Sequence, residues 1–222
     1  MPQLTTVLFD LDGTIIDSVR LILDSYHHTL KTHGLPPRTD EEWLAGVGTP
    51  LRVQFAPWAE SHGIDALIAT YRDYNLSHHD ASVTAYPGVV EMVHTLRTAG
   101  LRTGLVTSKN RSGAERGLRV VGLAGTMEAI VGADDVQHPK PHPEPVLRAL
   151  DLLGVAAAES IYVGDSIHDM QAGRAAGVRT GAVLWGPFDR PHLECTAPDC
   201  WLEHPADLIR TIRELAVLAP TL

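Results

Sequence analysis

The sequence predicts an α/β protein: a Rossmann-like, doubly wound parallel sheet that carries an inserted all-helical block. Three observations predict it. From residue 85 onward, short apolar runs alternate with segments of helical periodicity, the pattern of right-handed β–α–β crossovers. Residues 17–81 read as helices and contain no convincing strand. The first apolar run, Val7-Leu8-Phe9, ends in Asp10-Leu11-Asp12-Gly13-Thr14, which sets two carboxylates where a strand gives way to a loop. In open α/β sheets the carboxyl ends of the strands are where ligands bind.

Each element follows from local composition. The run into Asp10 is apolar at successive positions, as a strand buried on both faces requires. Ser18 stands at the N-cap of a helix to about residue 31, with Val19, Ile22, Leu23, Tyr26 and Leu30 at helical spacing, and Gly34-Leu35-Pro36-Pro37 stops it. Further helices fill residues 40–79, with Gly46-Val47-Gly48-Thr49-Pro50 as a loop between two of them. Ala85-Tyr86-Pro87-Gly88 returns the chain to alternation: helix 89–99, strand 102–107, helix 110–122, strand 129–131, helix 143–154, strand 160–163, helix 167–176, strand 179–184 and helix 206–218. Residues 1–16 and 82–222 then form the core, and residues 17–81 the insertion.

At 222 residues, with 44% hydrophobic and 20% charged residues, the chain suits one large domain or a core with a small insertion. A formal net charge of −9 argues against a nucleic-acid partner and makes any anionic substrate depend on a few placed cations. No secretory signal precedes Val7, and no apolar run approaches the ~20 residues needed to span a bilayer. Two cysteines make no disulfide framework, so the expected setting is the reducing cytoplasm, without a membrane partner. The oligomeric state stays open.

Four short stretches carry chemistry. Asp10 and Asp12 are adjacent anions, costly without a cation, and their oxygens suit Mg²⁺. A carboxylate is also a nucleophile toward phosphorus, although Asp-Gly is a common plain turn. Thr107-Ser108-Lys109-Asn110 offers hydroxyls and backbone N–H groups at a helix start, which suits a phosphoryl group and equally suits an ordinary helix cap. Lys140 lies in His138-Pro139-Lys140-Pro141-His142-Pro143-Glu144-Pro145, where stiff backbone aims its ammonium, though an exposed loop lysine is the plainer reading. Gly164-Asp165-Ser166-Ile167-His168-Asp169 places a second carboxylate pair at a strand end, or simply caps the next helix.

The ordered set resembles the four motifs of the haloacid dehalogenase-like phosphohydrolases, over essentially the whole chain. The insertion looks like that family's C1-type helical cap. Lys140-Pro141-His142-Pro143-Glu144-Pro145, Gly164-Asp165-Ser166 with Asp169, and Trp185-Gly186-Pro187-Phe188 look most like its phosphoglycolate phosphatase and PpaX-type pyrophosphatase branch. The resemblance implies Asp10 as nucleophile, Asp12 as general acid–base, Thr107 gripping phosphoryl oxygens and Lys140 neutralising charge. It implies Mg²⁺ held by Asp10, Asp165 and the Asp12 carbonyl, with Asp169 a water-mediated or outer partner. Gly13, Thr14 and Ser108 would approach the substrate. Asp12 also favours phosphate chemistry, since halide-displacing members lack it.

Other residues take weaker expectations. The loop of residues 46–52 resembles the specificity loop of C1 caps, implying that Thr49 or Arg52 contacts the substrate's far end; a solvated helix face is the alternative for Arg52. His192, Cys195, Cys200 and His204 have a spacing that invites zinc, but the family's similar stretch is the last strand and its approach, without metal. His78-His79 reads as the polar end of a helix in the insertion, and Trp43, Trp58 and Trp201 as packing residues. The expected function is Mg²⁺-dependent hydrolysis of a small phosphorylated metabolite, a phosphoglycolate-type monoester or pyrophosphate, through an aspartyl-phosphate. A β-phosphoglucomutase-type mutase is the alternative, and a non-catalytic sensor on the same fold comes third. The insertion is expected to hinge near Ile15-Ile16-Asp17 and Val83-Thr84-Ala85 as a lid.

Overall fold

The computed structural model describes residues 3–217. Six parallel strands form the main sheet: β1 (Thr6–Phe9), β4 (Arg102–Val106), β5 (Ala129–Val131), β6 (Ser160–Gly164), β7 (Arg179–Val183) and β8 (Cys200–Leu202). Their order is β5-β4-β1-β6-β7-β8, so the sheet grows outward from β1 in both directions. Beside a central strand of this kind lies the crevice where α/β sheets take their ligands. Register fixes what lines it. Phe9 pairs with Leu105 on one side and Val163 on the other, so β1, β4 and β6 end nearly level. Asp10, Thr107 and Asp165 follow those ends.

β1 is buried at all four positions because helices cover both faces. Val7 and Phe9 pack with α6 (Val89–Thr98), α7 (Arg111–Val120) and α11 (Pro205–Val217), through Met92, Leu96, Ala114, Leu118 and Leu208. Leu8 faces the other way, toward Val146, Ala149 and Leu150 of α8 (Glu144–Leu153) and Ala172 of α9 (Ile167–Ala176). The predicted end of the last helix, Leu218, lies outside the described residues.

The helical block runs through α1 (Val19–Thr32), α2 (Asp40–Leu44), α3 (Leu51–Gln54), α4 (Ala59–His62) and α5 (Ile64–Ser82). It has its own core of Tyr26, Trp43, Phe55, Leu67 and Tyr71, in which Tyr26 and Trp43 stack with ring centroids 4.2 Å apart. Trp43 thus packs as expected. Both joints to the sheet meet in a feature the sequence reading did not contain. β2 (Ile16–Asp17) and β3 (Thr84–Ala85) pair antiparallel, Ile16 with Ala85 and Asp17 with Thr84. Two-residue strands carry too little periodicity to be seen in a sequence. A second departure is α10 (Arg190–Leu193), a single turn ahead of β8, capped by the Asp189 carboxylate on the His192 N–H. Among the described residues His192, Cys195, Cys200 and His204 do not assemble: Cys195 donates to the His192 carbonyl, Cys200 to the Thr180 carbonyl, and the His192 ring stacks on Phe188.

Candidate active site

Lys140 is the centre of the polar cluster at the strand ends. It is 3% exposed, and its ammonium donates to Asp10 Oδ1 at 2.9 Å, Asp169 Oδ1 at 2.6 Å and the Tyr162 hydroxyl at 3.1 Å. All three ammonium protons therefore have acceptors, and each acceptor comes from a different segment. The Lys140–Pro141 peptide is cis. Burial alone would strip the proton from this lysine, but Asp10 and Asp169 outweigh it and hold it charged.

Asp169 is committed on both oxygens. Its Oδ1 also lies 2.8 Å from the Tyr162 hydroxyl, and its Oδ2 accepts from the Ser166 N–H at 3.0 Å and the Ser166 hydroxyl. Ser166 in turn accepts from the Asp169 N–H, a reciprocal capping box at the start of α9. The helix-cap reading of this motif therefore holds for Ser166 and Asp169, and the same Asp169 also accepts from Lys140. Lys140, Ser166 and Tyr162 overcome burial and keep Asp169 below the usual carboxylate range. With no oxygen to spare, Asp169 holds Lys140 and is not placed as a direct metal ligand.

Asp165 lies beside it with a different environment. Its Oδ1 accepts from the Thr14 hydroxyl at 2.8 Å, and Thr14 is fully buried. Thr14 is thus positioned to orient Asp165, not to meet a substrate. Gly13, at φ +85°, matters for the same reason: a Cβ there would stand 2.5 Å from Asp165 Oδ2. Its N–H is spent on the Ile16 carbonyl at 2.9 Å, so the expected approach of this amide to a phosphoryl group is not what the glycine provides. Gly164 is required likewise, since a Cβ would meet Asp169 at 2.5 Å.

Asp10, Asp165 and Asp169 present carboxylate oxygens within 4.8 Å of one another, all buried. One ammonium does not balance three carboxylates. Burial, opposed by Lys140, pushes Asp10 up to about 7, and burial with the charges of Asp169 and Asp10 pushes Asp165 well above the usual range. A divalent cation between Asp10 and Asp165 would supply the missing charge, and an all-oxygen donor set suits Mg²⁺. The residues present fit that ion.

Asp12 is set apart, with Oδ1 accepting from Lys109 Nζ at 2.8 Å and from the Ser18 hydroxyl. Burial raises it, but Lys109 and Ser18 together bring it below the usual carboxylate value. Neither partner stood out in the sequence. Ser18 does occupy the N-cap of α1, yet its hydroxyl makes no cap bond and turns to Asp12 instead. A serine at an N-cap reads as a cap, so no sequence signal separated the two. Lys109 follows the Thr107-Ser108 pair directly, and a cation beside those hydroxyls was the available clue. Tyr162 was likewise hidden, as one more apolar residue of a buried strand.

Thr107 is buried and its hydroxyl accepts from the Lys109 N–H at 3.1 Å, which leaves its own proton to donate. Ser108 points to the helical block, donating to the Gly48 carbonyl at 2.7 Å. Gly48, at φ +94°, also stands against His168 and Ser166. Of the stretch expected as a loop over residues 46–52, Leu51 and Arg52 belong to α3, and the Gly48 backbone, not the side chains expected, meets the strand ends. Thr49 donates to the Gly46 carbonyl at 2.7 Å and accepts from Gln54 at 2.8 Å. Arg52 is exposed and paired with Asp65 inside the block. Both are used inside the block, Thr49 on a backbone carbonyl of its own turn and Arg52, on the exposed face of α3, on the Asp65 carboxylate of α5.

Residues 7–183 match the family described as haloacid dehalogenase-like hydrolase. A pyrophosphatase PpaX from Anoxybacillus flavithermus is 41% identical over 207 residues, covering 93% of this chain and 96% of that protein. A pyrophosphatase PpaX from Bacillus cereus (strain AH820) is 40% identical over 213 residues, covering 96% and 98%. Among solved structures, a hydrolase from Pseudomonas syringae superimposes with a TM-score of 0.85 at 26% identity, covering 96% of this chain and 99% of that one.

Proposed function

The chain belongs to the haloacid dehalogenase-like hydrolases and is a phosphohydrolase, and from that premise we propose that it hydrolyses a small phosphorylated substrate with Mg²⁺ through an aspartyl-phosphate on Asp10. Pyrophosphate is the first candidate substrate, as the names of the similar proteins suggest. A phosphoglycolate-type monoester is the second. The observation that carries the reading is Lys140 bridging Asp10 and Asp169 with Asp165 alongside.

The residues divide the work. Asp10 keeps Oδ1 on Lys140 and turns Oδ2 to phosphorus, forming a P–O bond as the bond to the leaving oxygen breaks. Lys140 offsets the negative charge of Asp10 and of the incoming phosphoryl oxygens, so that the two anions can approach. Thr107 donates its free proton to a phosphoryl oxygen. Asp12, held as a carboxylate by Lys109 and Ser18, takes a proton from the water that cleaves the acyl-phosphate, and that proton is the one it passes to the leaving oxygen of the next turnover. Asp10, Asp165 and the Asp12 carbonyl would hold the Mg²⁺, which when bound supplies positive charge for in-line transfer. Asp169 and Tyr162 fix Lys140; Thr14 fixes Asp165; Lys109 and Ser18 fix Asp12.

The block of residues 17–81 acts as a cap that closes on the strand ends through the Gly48 backbone and opens about the β2–β3 ribbon. Excluding water favours phosphoryl transfer, and reopening admits the hydrolytic water. The reading calls for no nucleic-acid or membrane partner and for a cytoplasmic location. No described helix is long and apolar enough to cross a membrane.

Phosphate release from pyrophosphate, phosphoglycolate and p-nitrophenyl phosphate, with Mg²⁺ and with EDTA, tests it. The expected result is Mg²⁺-dependent turnover of all three, ranked by kcat/KM with pyrophosphate or phosphoglycolate first. Turnover undiminished by EDTA contradicts the metal assignment. Little release without a bisphosphate activator assigns the site to a mutase instead.

A further inference from the structure

The segment Trp185-Gly186-Pro187-Phe188, which leaves β7, takes no part in the chemistry, yet its contacts join the site to the cap. The Trp185 indole N–H donates to the Thr14 carbonyl at 3.0 Å. Gly186 lies against Asp165: a Cβ there would stand 2.5 Å from the Gly13 carbonyl oxygen and 2.8 Å from Asp165 Cβ. Two residues on, the half-buried Phe188 packs against two apolar clusters. One is Met170 of α9, Ala182 of β7 and Leu193 of α10. The other is the cap's own core, which contains Trp43, Phe55 and Tyr71. Among the described residues, Phe188 is the one apolar side chain from outside residues 17–81 that packs on that cluster. The turn α10 holds the ring in place. The His192 ring lies on Phe188 with centroids 4.5 Å apart and planes 12° from parallel, and Asp189 caps the turn by accepting from the His192 N–H at 3.1 Å.

Resting on the phosphohydrolase reading, we propose that Phe188 is a positioning residue: it is the core's seat for the closed cap, tied through Gly186 and Trp185 to Asp165 and the Gly13-Thr14 turn. Gly48 meets the core from the cap's side, through its carbonyl on Ser108 and its backbone against His168 and Ser166. Phe188 makes the reciprocal contact from the core's side. The first contact is polar and directional; the second is apolar and scales with the area covered. Together they hold the backbone of residues 46–50 over the strand ends. Phe188 touches no reacting atom, so it acts on the reaction only through the cap. An apolar contact present in the closed form and lost in the open form weights the equilibrium toward closure. Removing it lowers the closed fraction and raises KM by the same factor, while saturating substrate still draws the cap shut and keeps kcat.

The test reads Phe188→Ala and Phe188→Leu in two ways, by kinetics on p-nitrophenyl phosphate and by hydrogen exchange of the backbone amides of residues 46–50 with Mg²⁺ present. Phe188→Ala is expected to raise KM by about 5- to 20-fold with kcat within about 3-fold of wild type. The Mg²⁺ concentration for half-maximal turnover should stay where it is, because Gly186 still lies against Asp165. Exchange at residues 46–50 should quicken by about the same factor as KM rises, while β1 stays protected. Phe188→Leu, which keeps most of the apolar contact, should recover most of both effects. A loss of kcat with KM unmoved contradicts the inference, because it reports a structural role. Wild-type KM in Phe188→Ala, or a Leu variant no better than the Ala variant, contradicts it too. Wild-type protein that releases no phosphate contradicts the phosphohydrolase reading, and hydrogen exchange then decides the seat alone: unchanged protection of residues 46–50 in Phe188→Ala overturns it whatever the enzyme turns over.

Discussion

The strand ends and the stretch of residues 46–52, a loop that runs into α3, face each other across the site, and they are built differently. At the strand ends, charged side chains reach one another from remote parts of the chain: Asp10, Lys140 and Asp169 form one bonded set, and Asp12 with Lys109 another. In the loop, the polar side chains turn inward, Thr49 to Gly46 and Arg52 to Asp65, and a backbone carbonyl touches the core. Chemistry requires particular residue types in the first region, whereas shape suffices in the second. Substitutions should therefore act through charge at the strand ends and through backbone fit in the loop.

The largest expected effect is at Asp10. Asp10→Asn should lower kcat on the order of 10⁴-fold or more while the protein keeps its fold, read by turnover and circular dichroism. Retained turnover would remove Asp10 from the role of nucleophile. Lys140→Met comes next, with kcat down by roughly 10²–10³-fold. It should also destabilise by about 3–5 kcal/mol, because it strands Asp10 and Asp169 as buried charges. Adding Asp169→Asn should return part of that stability in urea melts; an additive loss would show that the pair does not act as one unit.

Asp165 sharpens the contrast through pH. Its carboxyl titrates above the unfolded value, as does Asp10, raised from 3.8 to about 7. A raised folded pKa means the fold binds the proton more tightly, so stability is lost as pH rises through the folded pKa. Metal-free wild type should therefore weaken from pH 5 to pH 8, and Asp165→Asn should weaken less. Mg²⁺ should restore the wild type at pH 8, by about 2.7 kcal/mol at a hundred times Kd. It should leave Asp165→Asn nearly unmoved in the same thermal melts. Equal Mg²⁺ responses would remove Asp165 from the metal site.

In the loop, effects should be small and uneven. Ser108→Ala removes the bond to the Gly48 carbonyl, worth ~1 kcal/mol net, and should change KM by roughly 5-fold. Arg52→Ala removes a mostly exposed ion pair and should change kcat/KM less than about 2-fold. A tenfold loss for Arg52→Ala would mean the guanidinium leaves Asp65 for the substrate and would erase the distinction between the regions.

That distinction also explains what the sequence made legible. Apolar strands followed by Asp10, Thr107 and Asp165 were readable because a parallel sheet buries whole strands and delivers ligands at their carboxyl ends. Lys140 was readable from its proline setting and its place in the ordered motifs. Ser18, Lys109 and Tyr162 were not, since each reads equally well as a cap, a surface cation or a buried strand residue, and only the fold brings it to a carboxylate. Thr14 was found but given the wrong neighbour, because a strand-end hydroxyl does not reveal whether it faces substrate or Asp165. The β2–β3 ribbon and Gly48 rest on backbone contacts, to which residue type gives little clue.

The central claim is that Asp10 takes the phosphoryl group. Crystals grown with Mg²⁺ and beryllofluoride, a mimic of an acyl-phosphate, test it directly. The account predicts beryllium bonded to the Asp10 oxygen that Lys140 leaves free, with Mg²⁺ against Asp10 and Asp165. Beryllofluoride bonded at Asp12, or lodged in the site without a bond to any aspartate while Asp10→Asn still turns over, would contradict it.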